Sequence, residues 1–208
     1  MIRDETQARA YISELSDGRA IEQLDHLAKE LRRENDQQNL VSKGSLDEIW
    51  VRHFADSAQL VAHVPRETRG AWFDLGSGAG FPGLVLAILR PEEATVLVES
   101  RRRRIEWLTA MVRELGLENC EIEGKRLELV DTRKAAVISA RAFAPLPKLL
   151  TLSARFSTAR THWVLPKGRS AAQEVMELPR KLCKMFHVEQ SITDDEAGIV
   201  VGQGKVEA

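Results

Sequence analysis

Residues 74–83 read DLGSGAGFPG and hold four glycines and a proline, and they begin within the apolar run AWFDL at 71–75. Glycines let the main chain turn sharply and let a ligand approach it closely. Pro82 suits the first position of the helix predicted for PGLVLAIL, because the N–H that proline lacks has no partner there. Gly80 and Phe81 offer no side-chain oxygen to cap that helix, so its first amide groups are expected to be left for a ligand. The stretch therefore predicts a strand, a ligand-binding loop and a helix.

Strand-like and helical segments alternate along the rest of the chain. Strands are predicted at 71–75, 94–100, 120–124, 135–140, 162–168, 185–192 and 198–203. Helices are predicted at 19–34, 45–64, 83–90, 101–116 and from the fifth strand to about residue 184, after a helical N-terminus. The alternation predicts an α/β protein with a parallel, doubly wound sheet. The last two strands, joined by the short turn TDDEA, predict an antiparallel hairpin at one edge.

The first part of the chain is predicted to be helical and to pack on the sheet. The helix at 45–64 is expected to open on a capping box, Ser45 followed by Glu48, and to stop before Pro65. A chain of 208 residues with 43% hydrophobic content can bury one good core. We therefore expect an N-terminal helical extension at 1–66 and a core domain at 67–208, together forming one structural unit.

The sequence carries no mark of an exported or membrane-spanning protein. Residues 1–15, MIRDETQARAYISEL, are charged and helical and do not resemble a signal peptide. No stretch approaches the roughly 20 apolar residues that a membrane span needs. Cys120 and Cys183 lie far apart and outside any metal-ligand spacing. We therefore expect reduced thiols, no metal site and a cytoplasmic protein.

The net charge of −1 conceals an uneven distribution of charge along the chain. Residues 132–184 contain eleven Lys or Arg and only Glu174 and Glu177 as acids, so this region carries +9 and the remainder −10. Such a basic region favours a polyanionic partner that is met by one surface. Solvated basic helix faces are the alternative, because they are common in proteins. The charge alone therefore leaves nucleic-acid binding open.

A nucleoside cofactor is predicted from the acid that follows the glycine loop. Glu99 ends the second strand, nineteen residues beyond Gly80, where an acid binds the two hydroxyl groups of an adenosine ribose. Gly78, Gly80 and Gly83 match the dinucleotide fingerprint G-x-G-x-x-G, which is a weak signal by itself. The carboxylate of Asp74 would repel a pyrophosphate, but it suits a cofactor with an amino group and a sulfonium cation. S-adenosylmethionine is therefore the preferred cofactor.

The form D-x-G-x-G-x-G at 74–80 resembles motif I of the class I S-adenosylmethionine-dependent methyltransferases, whose Rossmann-like sheet has seven strands and a terminal antiparallel hairpin. A narrower resemblance is carried by NLVSKGSLDEIWVRHFADSAQL, DLGSGAGFPGLVLAI, LVES, ISARAFAPLPKLL and LPKG. In order and spacing these segments, within 35–169, resemble the bacterial 16S rRNA guanine-N7 methyltransferases, the glucose-inhibited division protein B family. The resemblance implies methyl transfer to N7 of a guanine in the decoding region of the small ribosomal subunit. It also implies cofactor contacts at Gly76, Phe81, Leu127, Glu128 and Arg141.

Methylation of guanine N7 needs no catalytic base from the enzyme. N7 is already an acceptor lone pair, so no proton must be removed before it attacks the methyl carbon. The enzyme mainly aligns N7, the methyl group and sulfur. The sequence agrees, because it has no [DNS]-P-P-[YF] motif to hold an exocyclic amine and no cysteine in a P-C context. No catalytic base is predicted, and Arg141 is the catalytic candidate because it follows the strand at 135–140 at the carboxyl edge of the sheet.

Six basic residues are candidates for RNA contact: Arg52, Arg101, Arg102, Lys148, Lys167 and Arg169. Arg101 and Arg102 open a helix whose dipole disfavours cations there, so a phosphate partner would explain them, and simple surface exposure is the alternative. His53 and the four tryptophans are expected to lie in the core.

Three other functions stay open at this stage. The fold also serves methyltransferases for small molecules or proteins, and a non-catalytic ribosome-assembly factor could keep the nucleoside pocket while binding RNA. A nicotinamide oxidoreductase is the most distant alternative. Cofactor binding without turnover would identify the assembly factor, and unchanged fluorescence of reduced NAD would exclude the oxidoreductase. No obligate protein partner is indicated by the sequence.

Overall fold

The centre of the molecule is one sheet of seven strands, seen in a computed structural model that describes residues 1–207. The strands are β1 (Trp72–Leu75), β2 (Thr95–Val98), β3 (Cys120–Glu123), β4 (Val137–Ser139), β5 (His162–Lys167), β6 (Phe186–Gln190) and β7 (Gly198–Gln203). Their order is β3-β2-β1-β4-β5-β7-β6. The first five run parallel, and β7 pairs antiparallel with both β5 and β6. The predicted parallel sheet with an antiparallel pair at one edge is confirmed.

Nine α-helices occur within the described residues and cover both faces of the sheet. They are α1 (Glu5–Leu15), α2 (Gly18–Asn35), α3 (Lys43–Asp47), α4 (Asp56–Ala58), α5 (Gly83–Leu89), α6 (Arg102–Glu114), α7 (Leu146–Ser153), α8 (Ala171–Met176) and α9 (Arg180–Cys183). Both faces being covered, β1 and β2 are buried along their whole length. None of the helices within residues 1–207 has the length and apolar character that crossing a membrane requires.

The N-terminal helices share a buried cluster with the helices on one face of the sheet. Leu24 and Leu27 of α2 belong to the same cluster as Leu84 of α5 and Trp107 of α6. A second cluster lies on the other face and joins α7 and α8 to β6. The four tryptophans are buried, as predicted: Trp50, Trp72, Trp107 and Trp163.

The prediction of one helix at 45–64, opened by a capping box at Ser45, is wrong. The cap is Ser42, whose hydroxyl accepts the N–H of Ser45, and α3 ends after five residues. A π-helical segment at Trp50–Ala55, then α4, then a 3-10 helix at Gln59–His63 complete the region. The hydroxyl of Ser45 is used elsewhere, because it donates to the carbonyl of Ser42 and lies 3.0 Å from the ring of His53.

The helix predicted to reach about residue 184 is also divided in the structure. Pro179 separates α8 from α9 because a proline in a helix interior removes a hydrogen bond and clashes with the preceding turn. Sequence reasoning missed α7, since Pro145 and Pro147 mask its start. Proline is tolerated in the first turn of a helix, where its missing N–H is not needed.

Candidate active site

The glycine loop follows β1 and is held by main-chain hydrogen bonds. The N–H groups of Gly76 and Ser77 both donate to the carbonyl of Val98, at 2.8 and 3.1 Å, which fixes the loop to the end of β2. The N–H of Gly80 donates to Ser77, and the φ of Gly80 is +103°. Because L side chains rarely adopt that φ, a glycine is needed there.

The expectation that the first amides of α5 are left for a ligand is wrong. The N–H of Gly83 donates to Oδ2 of Asp74 at 3.2 Å, and the N–H of Leu84 donates to the carbonyl of Gly80 at 2.7 Å. Asp74 is fully buried beneath the loop, and Ser139 of β4 donates to its Oδ1 at 3.0 Å. Burial raises the pKa of Asp74 to about 6. The carboxylate therefore ties β1 to β4 and α5 and takes the amide that a ligand would have used.

Glu99, at the end of β2, joins the loop to the start of α6. Its Oε2 accepts the N–H of Gly78 at 3.0 Å, and its Oε1 accepts the N–H groups of Ser100 and Arg101 at 2.7 and 2.8 Å. Nη1 of Arg104 lies 3.9 Å from Oε2. A carboxylate that accepts hydrogen bonds from three amides at the edge of the sheet is fixed in position.

A cavity of about 230 Å³ lies against Glu99 at the carboxyl edge of the sheet. It is lined by Gly76, Val98, Glu99, Ser100, Arg101, Arg104, Lys125, Leu127, Ala142 and Phe143. The structure thus brings together three of the predicted cofactor residues, Gly76, Glu99 and Leu127. The other predicted residues lie apart from the lining: Gly78, Gly80 and Phe81 are buried in or behind the loop, and Glu128 is exposed.

A larger cavity of about 870 Å³ lies beside the first, at the carboxyl ends of β4 and β5. Its lining comes from Ser45, from the π-helical segment with Asp56, and from parts of 141–145, 166–177 and 193–197. Three carboxylates in it each pair with a cation: Asp56 with Arg141 at 3.3 Å, Glu174 with Lys167 at 2.9 Å and Asp194 with Arg52 at 3.1 Å. The predicted cofactor residue Arg141 therefore lines the larger cavity.

His53 is buried, as predicted, and its ring is stacked on Phe81 with centroids 4.7 Å apart. Nη2 of Arg141 lies 3.1 Å from Nδ1 of His53. Because arginine only donates, Nδ1 is the acceptor, and the proton on Nε2 points to the hydroxyl of Ser45 at 3.0 Å. Burial, with the charges of Arg141 and Arg52, lowers the pKa of His53 to about 3. The imidazole is therefore neutral near pH 7, and its lone pair is already used.

The six predicted RNA contacts fall into two groups. Arg52 and Lys167 line the larger cavity, and Arg101 lines the smaller one. The other three lie outside both cavities: Arg102 pairs with Glu106, Arg169 pairs with Glu196 and Lys148 is exposed on α7.

Sequence reasoning missed the acids that hold these cations, and it missed Ala142 and Phe143, which line both cavities. Glu174 could have been found from the sequence, since it is one of only two acids among residues 132–184. Asp56 and Asp194 are separated from their partners by 85 and 142 residues, so no local pattern relates them.

Comparison with known proteins gives the family. A family model described as rRNA small subunit methyltransferase G, GidB, matches residues 20–198. The chain is 63% identical to the ribosomal RNA small subunit methyltransferase G of Erythrobacter litoralis over 205 residues, 99% of each chain. It is 50% identical to the protein of the same name from Sphingopyxis alaskensis, over 99% of this chain and 89% of the relative.

A solved structure shows the same fold at low sequence identity. An RNA methyltransferase from Salinibacter ruber, in complex with S-adenosyl-L-homocysteine, matches with a TM-score of 0.53 and 15% identity. The match covers 73% of this chain and 92% of that one. The sheet described above is therefore that of the class I methyltransferases.

Proposed function

This chain belongs to the rRNA small subunit methyltransferase G family, and we propose that it transfers the methyl group of S-adenosylmethionine to N7 of a guanine in 16S rRNA. The observation that carries the proposal is the pair of adjoining cavities at the carboxyl edge of the sheet. One is lined by Gly76 of the glycine loop and by Glu99, and the other is lined by basic side chains and has room for a base. Doubly wound sheets bind their ligands at this edge.

The smaller cavity suits the nucleoside half of S-adenosylmethionine. Glu99 is placed to accept hydrogen bonds from the ribose hydroxyls, and Val98 and Leu127 offer apolar surface for an adenine. Gly76 exposes main chain to the cavity, where the methionine half would lie, while Gly78, Gly80 and Phe81 shape the loop behind it. Glu128 and Arg141, which lie outside the lining of this cavity, complete the proposed set of cofactor contacts. Asp74 supports the set by holding the loop from beneath. The bound cofactor supplies a methyl group activated by a positively charged sulfur.

The larger cavity suits a guanine whose N7 needs no base. Three of its four carboxylates, Asp56, Glu174 and Asp194, are paired with cations, and the lone pair of His53 is used by Arg141. The fourth, Glu177, accepts a hydrogen bond from the amide of Gln173. What the residues can do is orient the base and exclude water, which is the contribution that this reaction requires. Arg141 has further N–H groups with which to bind the guanine.

The remaining proposals concern the partner, the compartment and the domains. We infer that the substrate is 16S rRNA or the small ribosomal subunit in the cytoplasm, with no obligate protein partner, and that Arg52, Arg101, Arg102, Lys148, Lys167 and Arg169 contact its phosphates. The shared cluster of α2, α5 and α6 supports one structural unit for 1–66 and 67–208.

The test is methyl transfer from labelled S-adenosylmethionine to intact small subunits, stripped 16S rRNA and bulk tRNA, with digestion to nucleosides. We expect label in 7-methylguanosine from the 16S samples alone. No label in any RNA, with S-adenosylmethionine still bound, would contradict the proposal and favour a small-molecule or protein substrate or a non-catalytic assembly factor.

A further inference from the structure

Phe143 lies at the boundary between the two cavities. Together with Ala142 it lines both the cavity against Glu99 and the larger cavity beside it. A methyl group that passes from a cofactor in one cavity to a base in the other must cross this boundary. The side chains here therefore lie next to the reacting atoms.

The ring of Phe143 is packed directly on the glycine loop. A Cβ atom added to Gly76 would come within 3.0 Å of this ring, so no side chain fits between them. The ring covers the main chain where the methionine half of S-adenosylmethionine is proposed to lie. The cavity that remains, about 230 Å³, is smaller than the ~300–1,000 Å³ of ordinary ligand sites. For this cavity to hold a whole cofactor, the ring must therefore move.

The backbone next to Phe143 is strained at Ala142. Ala142 has a φ of +52°, the left-handed conformation that residues other than glycine rarely adopt. It is the only such non-glycine residue among residues 1–207, and it is exposed. Strain of this kind is commonly found at sites that change conformation on ligand binding.

A guanine in the larger cavity needs an aromatic surface on which to stack. Bases that enter enzyme pockets are held between aromatic or apolar side chains. His53 and Phe143 are the aromatic rings that line the cavity, and His53 is already stacked on Phe81 with both ring nitrogens used. Phe143 is only partly buried, and its ring lines both cavities.

We propose that Phe143 is the side chain on which the target guanine stacks, and that it takes this position on leaving Gly76 when the cofactor binds. The inference rests on the proposed function. It places cofactor binding before productive base binding, because the stacking surface forms only once the ring has left the loop. The ring thereby couples occupancy of one cavity to the shape of the other.

The test compares the wild type with Phe143→Leu, Phe143→Ala and Phe143→Tyr. Calorimetry measures the Kd for S-adenosylmethionine, and kcat and KM are measured with small subunits at saturating cofactor. We expect the Leu and Ala variants to bind S-adenosylmethionine at least as tightly as the wild type, since no aromatic ring must be displaced. Their kcat/KM for the RNA is expected to fall at least tenfold, and Phe143→Tyr is expected to restore it to within about threefold because its ring can stack.

Two results would overturn the inference. Full activity of Phe143→Leu would show that an aromatic ring is not required, and loss of S-adenosylmethionine binding in Phe143→Ala would show that the ring supports the cofactor site. If the wild type binds the cofactor but forms no 7-methylguanosine, the proposed function fails and this inference fails with it. The wild-type control therefore separates the two cases.

Discussion

The two cavities are built by different means, although they share one edge of the sheet. Around the smaller one, Asp74 and Glu99 accept hydrogen bonds from the main chain of the glycine loop and its neighbours, and both are buried. Around the larger one, charged side chains pair with each other near the surface, as Arg52 does with Asp194. In the first arrangement the same hydrogen bonds hold both the fold and the site. In the second arrangement a side chain of the site can be replaced while the fold stays intact.

The physical reason lies in the cost of removing a charge from water. A buried carboxylate is tolerated only where donors surround it, so its partners are fixed by the fold. A partly exposed ion pair contributes little to stability, because water already solvates both charges. Substitutions are therefore expected to affect folding on the loop side and catalysis or RNA affinity on the other side.

The largest effect is expected for Gly80→Ala, on the loop side. An added Cβ would collide with Leu84 at a φ of +103°, so we expect the free energy of unfolding to fall by about 2–4 kcal/mol. Binding of S-adenosylmethionine should be lost as well. Urea denaturation and calorimetry measure the two effects.

Gly116→Ala is the matched control for Gly80→Ala. Its φ is +62°, but no atom lies within 4 Å of the added Cβ, so only the backbone strain of about 1 kcal/mol is expected. If the two variants lost equal stability, the close packing of the loop would not be the cause, and the contrast between the cavities would weaken.

A smaller effect, confined to catalysis, is expected for Arg141→Ala in the larger cavity. We expect methyl transfer to fall at least tenfold, about 1.4 kcal/mol, with the thermal midpoint nearly unchanged. The fold should persist because Asp56 keeps hydrogen bonds from Gln59 and Thr193. Initial rates with small subunits and a melting curve check both statements.

The control for Arg141→Ala is Arg69→Ala, which removes an exposed arginine outside both cavities, and its partner Glu93 keeps an ion pair with Arg90. It should leave the initial rate close to that of the wild type. Unchanged turnover in Arg141→Ala would refute a functional role for this guanidinium and leave it as a structural ion pair.

The smallest effect is expected for Lys148→Ala, at the exposed start of α7. If Lys148 contacts one phosphate, the magnitude of the slope of log K against log salt should decrease by about 0.7–0.9, without a change in kcat. Filter binding of 16S rRNA over a salt series measures it. Lys29→Ala on α2, far along the chain from the basic region, should leave the slope unchanged, and equal slopes in all three proteins would remove Lys148 from the interface.

The distribution of charge along the chain does not predict which basic residues form ion pairs. The eleven basic residues of 132–184 predict a polyanion-binding surface, but five of them form ion pairs in the structure. They are Arg133, Arg141, Lys167, Arg169 and Lys181. Four of the five take an acid from outside the region. The sequence shows the excess of charge, but not which charges are already compensated.

The sequence by itself determined the strands, several of the helices and the resemblance to the family. All seven strands, the amphipathic α2 and the loop before α5 follow from local pattern. The signal is clearest for β1 and β2, because burial on both faces of a parallel sheet demands continuous apolar runs. Local pattern gave the wrong helix boundaries at two places. The hydroxyl of Ser45 donates to Ser42 and does not cap a helix, and Pro179 divides one predicted helix into two.

Only the tertiary structure decided how the site is used. It showed that Asp74 occupies the first amide of α5, that His53 is neutral, and that Phe143 divides the two cavities. The partners in these contacts lie from 9 residues apart in sequence, for Asp74 and Gly83, to 88 residues apart, for His53 and Arg141. They come together only when the sheet brings the carboxyl ends of its strands to one edge. A hydrogen bond depends on that distance in space, and spacing along the chain does not encode it.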